Sequence, residues 1–156
     1  MAEKTNAMRK LASMKIDFRE HYYADTGAVA GVDVAKALGE EPARVFKTLV
    51  TVGKTGAHYV FLVPVAEELD LKKAAGAVGE KSVEMLKSKE LLPLTGYVHG
   101  GCSPIGMKKF FRTVVHKTAA GFPTIYFSGG KIGFQIELAP EKLAEVIKFE
   151  YADVIR

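Results

Sequence analysis

The chain has 156 residues, of which 48% are hydrophobic and 26% charged, so we expect one globular domain over residues 1–156. No apolar run reaches the roughly 20 residues of a membrane helix, the first residues lack the apolar core of a secretory signal, and Cys102 is the only cysteine, which excludes an internal disulfide. These features predict a cytoplasmic protein without a membrane partner. The net charge of +4 permits an anionic partner such as nucleic acid but does not require one.

The first half of the chain is predicted to contain two helices and three strands. The first helix is capped by Thr5 or Asn6 and ends near Met14. In chain order, the remaining predicted elements are a strand over residues 16–23, a helix over 32–38, and strands over 45–52 and 58–65. Turn-forming residues at 53–56 indicate that the last two strands form a β-hairpin.

The second half of the chain is predicted to add further strands and helices. Asp70 caps a helix that ends near Ala75, and Pro93 ends an ambiguous segment over residues 86–92. The predicted strands cover residues 82–85, 113–116, 124–127 and 132–138, and Pro140 opens a final helix. The chain therefore reads as an α+β domain, with a mixed, hairpin-rich sheet packed against helices.

A glycine-rich loop is the first candidate for chemistry. Gly100, Gly101 and Gly106 allow backbone N–H groups to approach a carbonyl or phosphate closely, and residues 108–112 add positive charge and aromatic surface. This pattern favours a pocket for the end of a nucleic acid. The alternative is an ordinary glycine-rich turn before a strand.

Lys47 is the second candidate, because it is the one charged residue in the apolar strand over residues 45–52. Strand geometry places it on the same face as Val45 and Leu49, with Thr48 on the other face. A partly buried ammonium there could bind a carboxylate, a phosphate or a polarised carbonyl. Alternatively, the lysine stem lies along apolar surface and its charge reaches solvent.

Other chemistries fit the sequence less well. The segment at residues 53–55 resembles part of a phosphate-binding loop, but that motif needs a glycine where Thr48 stands. Cys102 paired with one of the four histidines could be a nucleophile, although no local signature supports the pairing. No histidine or cysteine pair has the spacing of metal ligands, so we expect neither a metal nor another cofactor.

An ordered set of motifs carries a family resemblance over residues 7–156. In order and spacing, they resemble the YbaK family of aminoacyl-tRNA deacylases, which is similar to the insertion editing domain of bacterial prolyl-tRNA synthetases. The motifs are Phe46-Lys47-Thr48-Leu49, Val63-Pro64-Val65, Leu69-Asp70-Leu71-Lys72-Lys73, Gly96-Tyr97, Gly100-Gly101-Cys102-Ser103-Pro104-Ile105-Gly106, Ser128-Gly129-Gly130 and Ile136-Glu137-Leu138.

The resemblance implies the fold of that family, with a barrel-like sheet surrounded by helices, and a site for aminoacylated tRNA. Lys47 matches the lysine that holds the terminal ribose or phosphate, and Gly100 and Gly101 match the pair facing the ester carbonyl, with Lys47 and Gly101 as the catalytic residues. Tyr23, Thr48 and Ser128 match positions that line the pocket. In cysteine-specific members, the substrate's own thiol attacks its ester. The implied partners are the 3′ end of tRNA and, as a candidate, prolyl-tRNA synthetase.

Three departures from the family pattern surround the expected pocket and leave the amino-acid specificity open. Gln135 stands where members often carry an acidic residue, Cys102 replaces an aliphatic residue, and residues 25–31 lack an expected Phe. We assign Cys102 and Gln135 to the substrate-binding set and expect cysteine on tRNA(Pro) as the substrate. The alternatives are alanine or another small amino acid removed by water, or a non-catalytic module that binds tRNA or a synthetase.

Overall fold

Five helices and eight strands occur in the described part of the chain, which in this computed structural model covers residues 4–23, 26–28 and 31–156. The helices are α1 (Asn6–Ser13), α2 (Gly31–Leu38), α3 (Leu71–Val78), α4 (Ser88–Thr95) and α5 (Pro140–Val146). The strands are β1 (Arg19–Tyr22), β2 (Phe46–Gly53), β3 (His58–Pro64), β4 (Val83–Met85), β5 (Arg112–His116), β6 (Ile125–Ser128), β7 (Phe134–Leu138) and β8 (Phe149–Ala152). No helix among these residues is long and apolar enough to cross a bilayer.

The strands form two sheets. The smaller sheet has the order β1-β7-β6 and is antiparallel throughout, whereas the larger has the order β4-β2-β3-β5-β8. The predicted β2–β3 hairpin is confirmed, and β3, β5 and β8 run parallel. This arrangement confirms the α+β class with a mixed sheet. The barrel-like sheet is corrected to two open sheets, because β4 and β8 end the larger sheet without outer strand partners in the described residues.

Local chemistry explains where α1 and α3 begin. The Thr5 hydroxyl accepts a hydrogen bond from the Met8 N–H at 3.1 Å and caps α1. The Asp70 carboxylate accepts from the N–H groups of Lys72 and Lys73, at 2.9 and 3.0 Å, and caps α3. Both predicted caps are therefore confirmed. α3 continues past the predicted end at residue 75, as far as Val78.

Three further elements, α4, β8 and β1, differ from the sequence-based predictions. The expectation that Pro93 ends its segment is wrong, because α4 runs through Pro93 to Thr95. A Thr95 hydroxyl bond to the Leu91 carbonyl at 2.8 Å and a Gly96 N–H bond to the Leu92 carbonyl at 2.9 Å close its last turn. The strand β8 was not predicted, and β1 covers only part of the predicted residues 16–23.

Two apolar clusters cover opposite faces of the larger sheet. Val60 and Leu62 of β3 belong to the main cluster, which includes residues of the smaller sheet, whereas Phe61 and Val63 pack with α3. β3 is therefore buried on both faces, which explains its unbroken apolar sequence.

A polar network joins the smaller sheet to the turn before β2. The Arg44 guanidinium donates to the Thr124 carbonyl at 3.0 Å, the Thr124 hydroxyl donates to the Glu137 carboxylate at 2.7 Å, and His21 lies 2.9 Å from the same carboxylate. Burial opposes ionisation of Glu137, but hydrogen bonds from Thr124 and His21 outweigh it and lower the Glu137 pKa. The network fixes the start of the strand that carries Lys47.

Candidate active site

A pocket of about 370 Å³ lies where the two sheets meet, next to the bridge between Val45 and Tyr126. Its walls come from β2, the smaller sheet, α2, α4 and the glycine loop that follows α4. Seven of the eight residues that the sequence predicted for a site line this pocket. They are Tyr23, Lys47, Thr48, Gly100, Cys102, Ser128 and Gln135.

The smaller sheet brings three of these residues to one end. Ser128 and Gln135 are register partners in the β6–β7 pair, and His21 is the partner of Gln135 on β1. The Tyr23 N–H donates to the Gly133 carbonyl at 2.7 Å, which holds this buried tyrosine beside the β6–β7 turn. Residues far apart in sequence thus form one wall.

Lys47 is a half-buried cation in the opposite wall. Burial lowers the pKa of its ammonium, while the carboxylates of Glu68 and Glu67 act in the other direction and favour the charged form. The side chain lines the pocket together with apolar residues of the same strand. Of the two interpretations that the sequence allowed, the geometry therefore favours a partly buried cation.

Two residues of the pocket lining each carry a buried oxygen atom that lacks a partner in the described part of the chain. The Thr48 Oγ1 and Gln135 Oε1 atoms make no hydrogen bond with any described residue, and Gln135 is only 5% exposed. Leaving such a group unsatisfied costs about 1–3 kcal/mol, so each one calls for an explanation. Because both atoms are buried, a polar ligand in the pocket could partner them only after a side-chain movement exposes them.

The glycine loop contributes to the pocket in a different way from that expected. Gly100 lines the pocket with a left-handed φ of 86°, whereas Gly101 is not part of the lining, and the Gly101 N–H donates to the Val98 carbonyl at 3.0 Å. The catalytic role that the resemblance implies for Gly101 stays a prediction. A Cβ at Gly101 would lie 2.9 Å from the Ile132 backbone nitrogen, so the glycine allows close packing against the β6–β7 turn.

Cys102 lines the pocket as a buried thiol. Burial raises its pKa to about 12, so almost no thiolate is present at neutral pH. A nucleophilic role for this cysteine is therefore disfavoured. Its buried position suits a small apolar side chain, in keeping with the aliphatic residue that it replaces in the family pattern.

Sequence reasoning missed several lining residues. Gly31 and Val34 of α2 and Leu91 of α4 close the pocket, and the exposed His99 lies beside Gly100 in the loop. A Cβ at Gly31 would lie 2.8 Å from the Val65 side chain, so this glycine brings α2 close to the end of β3. Of residues 25–31, where the sequence departs from the family pattern, 25, 29 and 30 lie outside the described residues.

Comparisons with known proteins agree with the fold and the motifs. Two solved structures share the fold. One is a candidate trans-editing enzyme for prolyl-tRNA synthetase, with a TM-score of 0.86 and 24% identity over 99% of each chain. The other is a hypothetical protein with a TM-score of 0.89 and 22% identity, over 97% of this chain and 100% of that one.

Sequence comparison identifies the family. The chain is 46% identical, over 97% of its length and 93% of the relative's, to EbsC of Enterococcus faecalis, which is named as a candidate Cys-tRNA(Pro)/Cys-tRNA(Cys) deacylase. The family model of the aminoacyl-tRNA editing domain matches residues 27–146. As the ordered motifs predicted, the chain belongs to the aminoacyl-tRNA editing domain family.

Proposed function

We propose that this aminoacyl-tRNA deacylase hydrolyses the ester that joins cysteine to the terminal ribose of tRNA(Pro), and that it also accepts Cys-tRNA(Cys). The name of the 46% identical relative covers both substrates. The observation that carries the proposal is the half-buried Lys47 ammonium, which shares its pocket with two residues that carry unpartnered oxygen atoms.

The pocket suits a small aminoacyl ester in size and polarity. Its volume of about 370 Å³ is within the range of small-molecule sites, which is roughly 300–1,000 Å³. Once exposed by a side-chain movement, Gln135 Oε1 would accept a hydrogen bond from the α-ammonium group, and the Thr48 hydroxyl would bond a second polar group of the substrate. Tyr23 and Ser128 would shape the space around the side chain.

We assign the attack to the substrate's own thiol. A cysteine thiol with an ordinary pKa of about 8.5 is a few per cent thiolate at neutral pH, unlike the buried Cys102. The thiolate sulfur bonds to the ester carbonyl carbon, and the bond to the ribose oxygen breaks. That oxygen takes a proton from water, which replaces the proton that the thiol released, and a second water molecule then opens the strained four-membered cyclic thioester to release cysteine.

Lys47 would assist this step electrostatically. Its ammonium, in a partly desolvated pocket, would stabilise negative charge that develops on the carbonyl oxygen or would anchor the terminal ribose and phosphate. Orientation alone can contribute several kcal/mol to an intramolecular attack. The protein then needs no nucleophile of its own.

A deacylation panel tests this proposal. The full-length chain is incubated with tRNA(Pro) charged with cysteine, S-methylcysteine, alanine, serine or proline, and with Cys-tRNA(Cys). We expect both cysteinyl esters to be hydrolysed at least 100-fold faster than the seryl and S-methylcysteinyl esters, because neither of these supplies a thiolate. Comparable hydrolysis of the alanyl or seryl ester would indicate attack by water and contradict the thiol mechanism. Binding of tRNA without any turnover would contradict the catalytic proposal.

The domain organisation, cellular location and protein partner of the enzyme are also proposals. We propose that residues 1–156 form one editing domain in the cytoplasm that acts together with prolyl-tRNA synthetase. The family match over residues 27–146 supports the first point, and the modest net charge of +4 favours help from a partner in binding tRNA. Addition of prolyl-tRNA synthetase should lower the KM for Cys-tRNA(Pro), and an unchanged KM would contradict the partnership.

A further inference from the structure

A second depression lies next to the glycine loop and is lined by three lysines. This lysine groove has a volume of about 330 Å³ and contains Lys10 at the end of α1 together with Lys108 and Lys109 after the loop. The groove is also lined by Pro104, Gly106 and Met107. The exposed ring of Phe110 belongs to the same lining.

The described residues place no carboxylate against the charge of the lysine groove. No Asp or Glu lines it, and none of its three ammonium groups pairs with a carboxylate elsewhere in the described ranges. Lys108 donates to the Pro93 carbonyl at 3.3 Å, which positions its ammonium but leaves its charge in place. A cluster of unpaired cations on a surface attracts an anionic partner.

The exposed ring of Phe110 indicates which class of anionic partner the groove binds. Phe110 is 59% exposed, whereas its neighbour Phe111 is half-buried and packs edge-on against His58. Lysines beside a free aromatic face are the combination that binds single-stranded nucleic acid, since the ammonium groups contact phosphates and the ring stacks on a base. An acidic peptide would use the charge but not the ring.

The lysine groove and the candidate active site share one loop. Cys102 lines the active-site pocket and Pro104 lines the groove, and two residues of extended chain span at most about 7 Å. We propose that the lysine groove binds the phosphates and one base of the unpaired nucleotides that precede the aminoacylated ribose, an inference that rests on the proposed function.

Binding of uncharged RNA tests the groove separately from hydrolysis. The probe is a fluorescent single-stranded RNA of about eight nucleotides that ends in the unpaired 3′ sequence of tRNA, titrated with the full-length chain at several salt concentrations. The test variant carries Lys10→Ala and Lys109→Ala, both at exposed positions. The matched control carries Lys54→Ala and Lys81→Ala, exposed lysines that line neither the groove nor the active-site pocket.

We expect the test variant to bind about 25-fold more weakly in about 0.1 M salt, with the slope of log K against log salt reduced by about 1.4. Each single-strand phosphate contact contributes about 0.7 to the slope, so two lost contacts remove about 1.4. Relative to about 1 M salt, where these contacts contribute little, a slope of about 1.4 corresponds to about 25-fold in affinity at about 0.1 M. The control should remain within about twofold of the wild type. Equal weakening of both double variants, or of neither, would overturn the proposal, as would tighter binding of duplex RNA or polyglutamate than of the single strand.

Phe110 provides a second test. Phe110→Ser should weaken binding of the single strand about fivefold or more, whereas Phe110→Tyr, which keeps a stacking face, should bind like the wild type. Equal affinities of the two variants would overturn the proposal that the Phe110 ring stacks on a base. The two proposals can fail separately. If the wild-type protein fails the deacylation panel but the lysine variant still loses RNA binding, the groove is supported and only the proposed function is contradicted.

Discussion

At the scale of single residues, the Lys47 ammonium is the group whose removal should affect catalysis most. Lys47→Met keeps the unbranched apolar stem but removes the charge, so we expect kcat/KM for Cys-tRNA(Pro) to fall roughly 100-fold to 1,000-fold. The unfolding temperature should change by only a few degrees, because the side chain is half-exposed. Lys54→Met, in the turn of the same hairpin, is the matched control. Equal activities of the two variants would contradict the role of Lys47.

Thr48 allows a test of whether the pocket holds polar groups ready for a ligand. Thr48→Val removes an unpartnered hydroxyl, so we expect the free energy of unfolding to stay constant or rise by up to about 1 kcal/mol, while kcat/KM falls about tenfold. Thr51→Val on the same strand removes a hydroxyl that donates to the Tyr59 carbonyl at 3.1 Å and should lose about 1 kcal/mol. Urea unfolding compares the two variants, and equal destabilisation would show that the Thr48 hydroxyl is already satisfied in the free protein.

At the scale of elements, the contact between the glycine loop and the β6–β7 turn determines the shape of the pocket. Gly101→Ala would place a methyl group 2.9 Å from the Ile132 nitrogen, and we expect a loss of about 1–3 kcal/mol together with reduced kcat/KM. Gly76→Ala is the control, because this position in α3 has open space around it and should gain about 0.5–1 kcal/mol. Thermal unfolding measures both, and a neutral Gly101→Ala would contradict the close packing.

The elements also show what the sequence could predict. The α1 and α3 caps and the β2–β3 hairpin depend on local patterns, and each was predicted from its own residues. The strand β8 was missed because it gains its structure from parallel pairing with β5, more than 30 residues earlier in the chain. Pro93 misled the prediction because one lost backbone hydrogen bond does not end a helix whose following turn is closed by side-chain and backbone bonds.

The candidate site, like the secondary structure, was predictable from the sequence only in part. A lone lysine in an apolar strand indicated the position of the cation, and seven residues chosen from motifs line one pocket. The partner of the Gly101 N–H could not be predicted, since it depends on how the loop folds back onto Val98. The unpartnered atoms of Thr48 and Gln135 are likewise visible only once the sheets are packed.

At the scale of the whole molecule, the protonation state of His116 affects how the last residues of the chain are held. Its Nδ1 accepts a hydrogen bond from the Val154 N–H at 3.3 Å, and the Val154 carbonyl accepts from the Asp70 N–H at 2.8 Å. Burial lowers the pKa of His116, and Lys117 and Lys73 lower it further, whereas Asp153 at 3.9 Å and Glu67 act in the opposite direction.

We therefore expect stability to depend on pH through His116. Because its pKa is lower in the folded chain, the unfolded chain binds more protons, and stability is lost as the pH falls below the ordinary histidine pKa of about 6.5. His116→Gln keeps an acceptor but cannot titrate, so its free energy of unfolding should fall less between about pH 7 and pH 5. Urea unfolding across this range is the measurement, and identical pH profiles for the two proteins would contradict the assignment.

The pairing of β1 with β7 has a consequence for biosynthesis. The Tyr22–Phe134 pair joins residues roughly 110 positions apart, so β1 must wait for most of the chain to be translated before its partner strand exists. At ribosomal speeds of about 5–20 residues per second, this delay lasts about 6–20 s. We expect the nascent chain to remain without editing activity during this interval, and premature termination before β7 to yield fragments that cannot assemble the pocket.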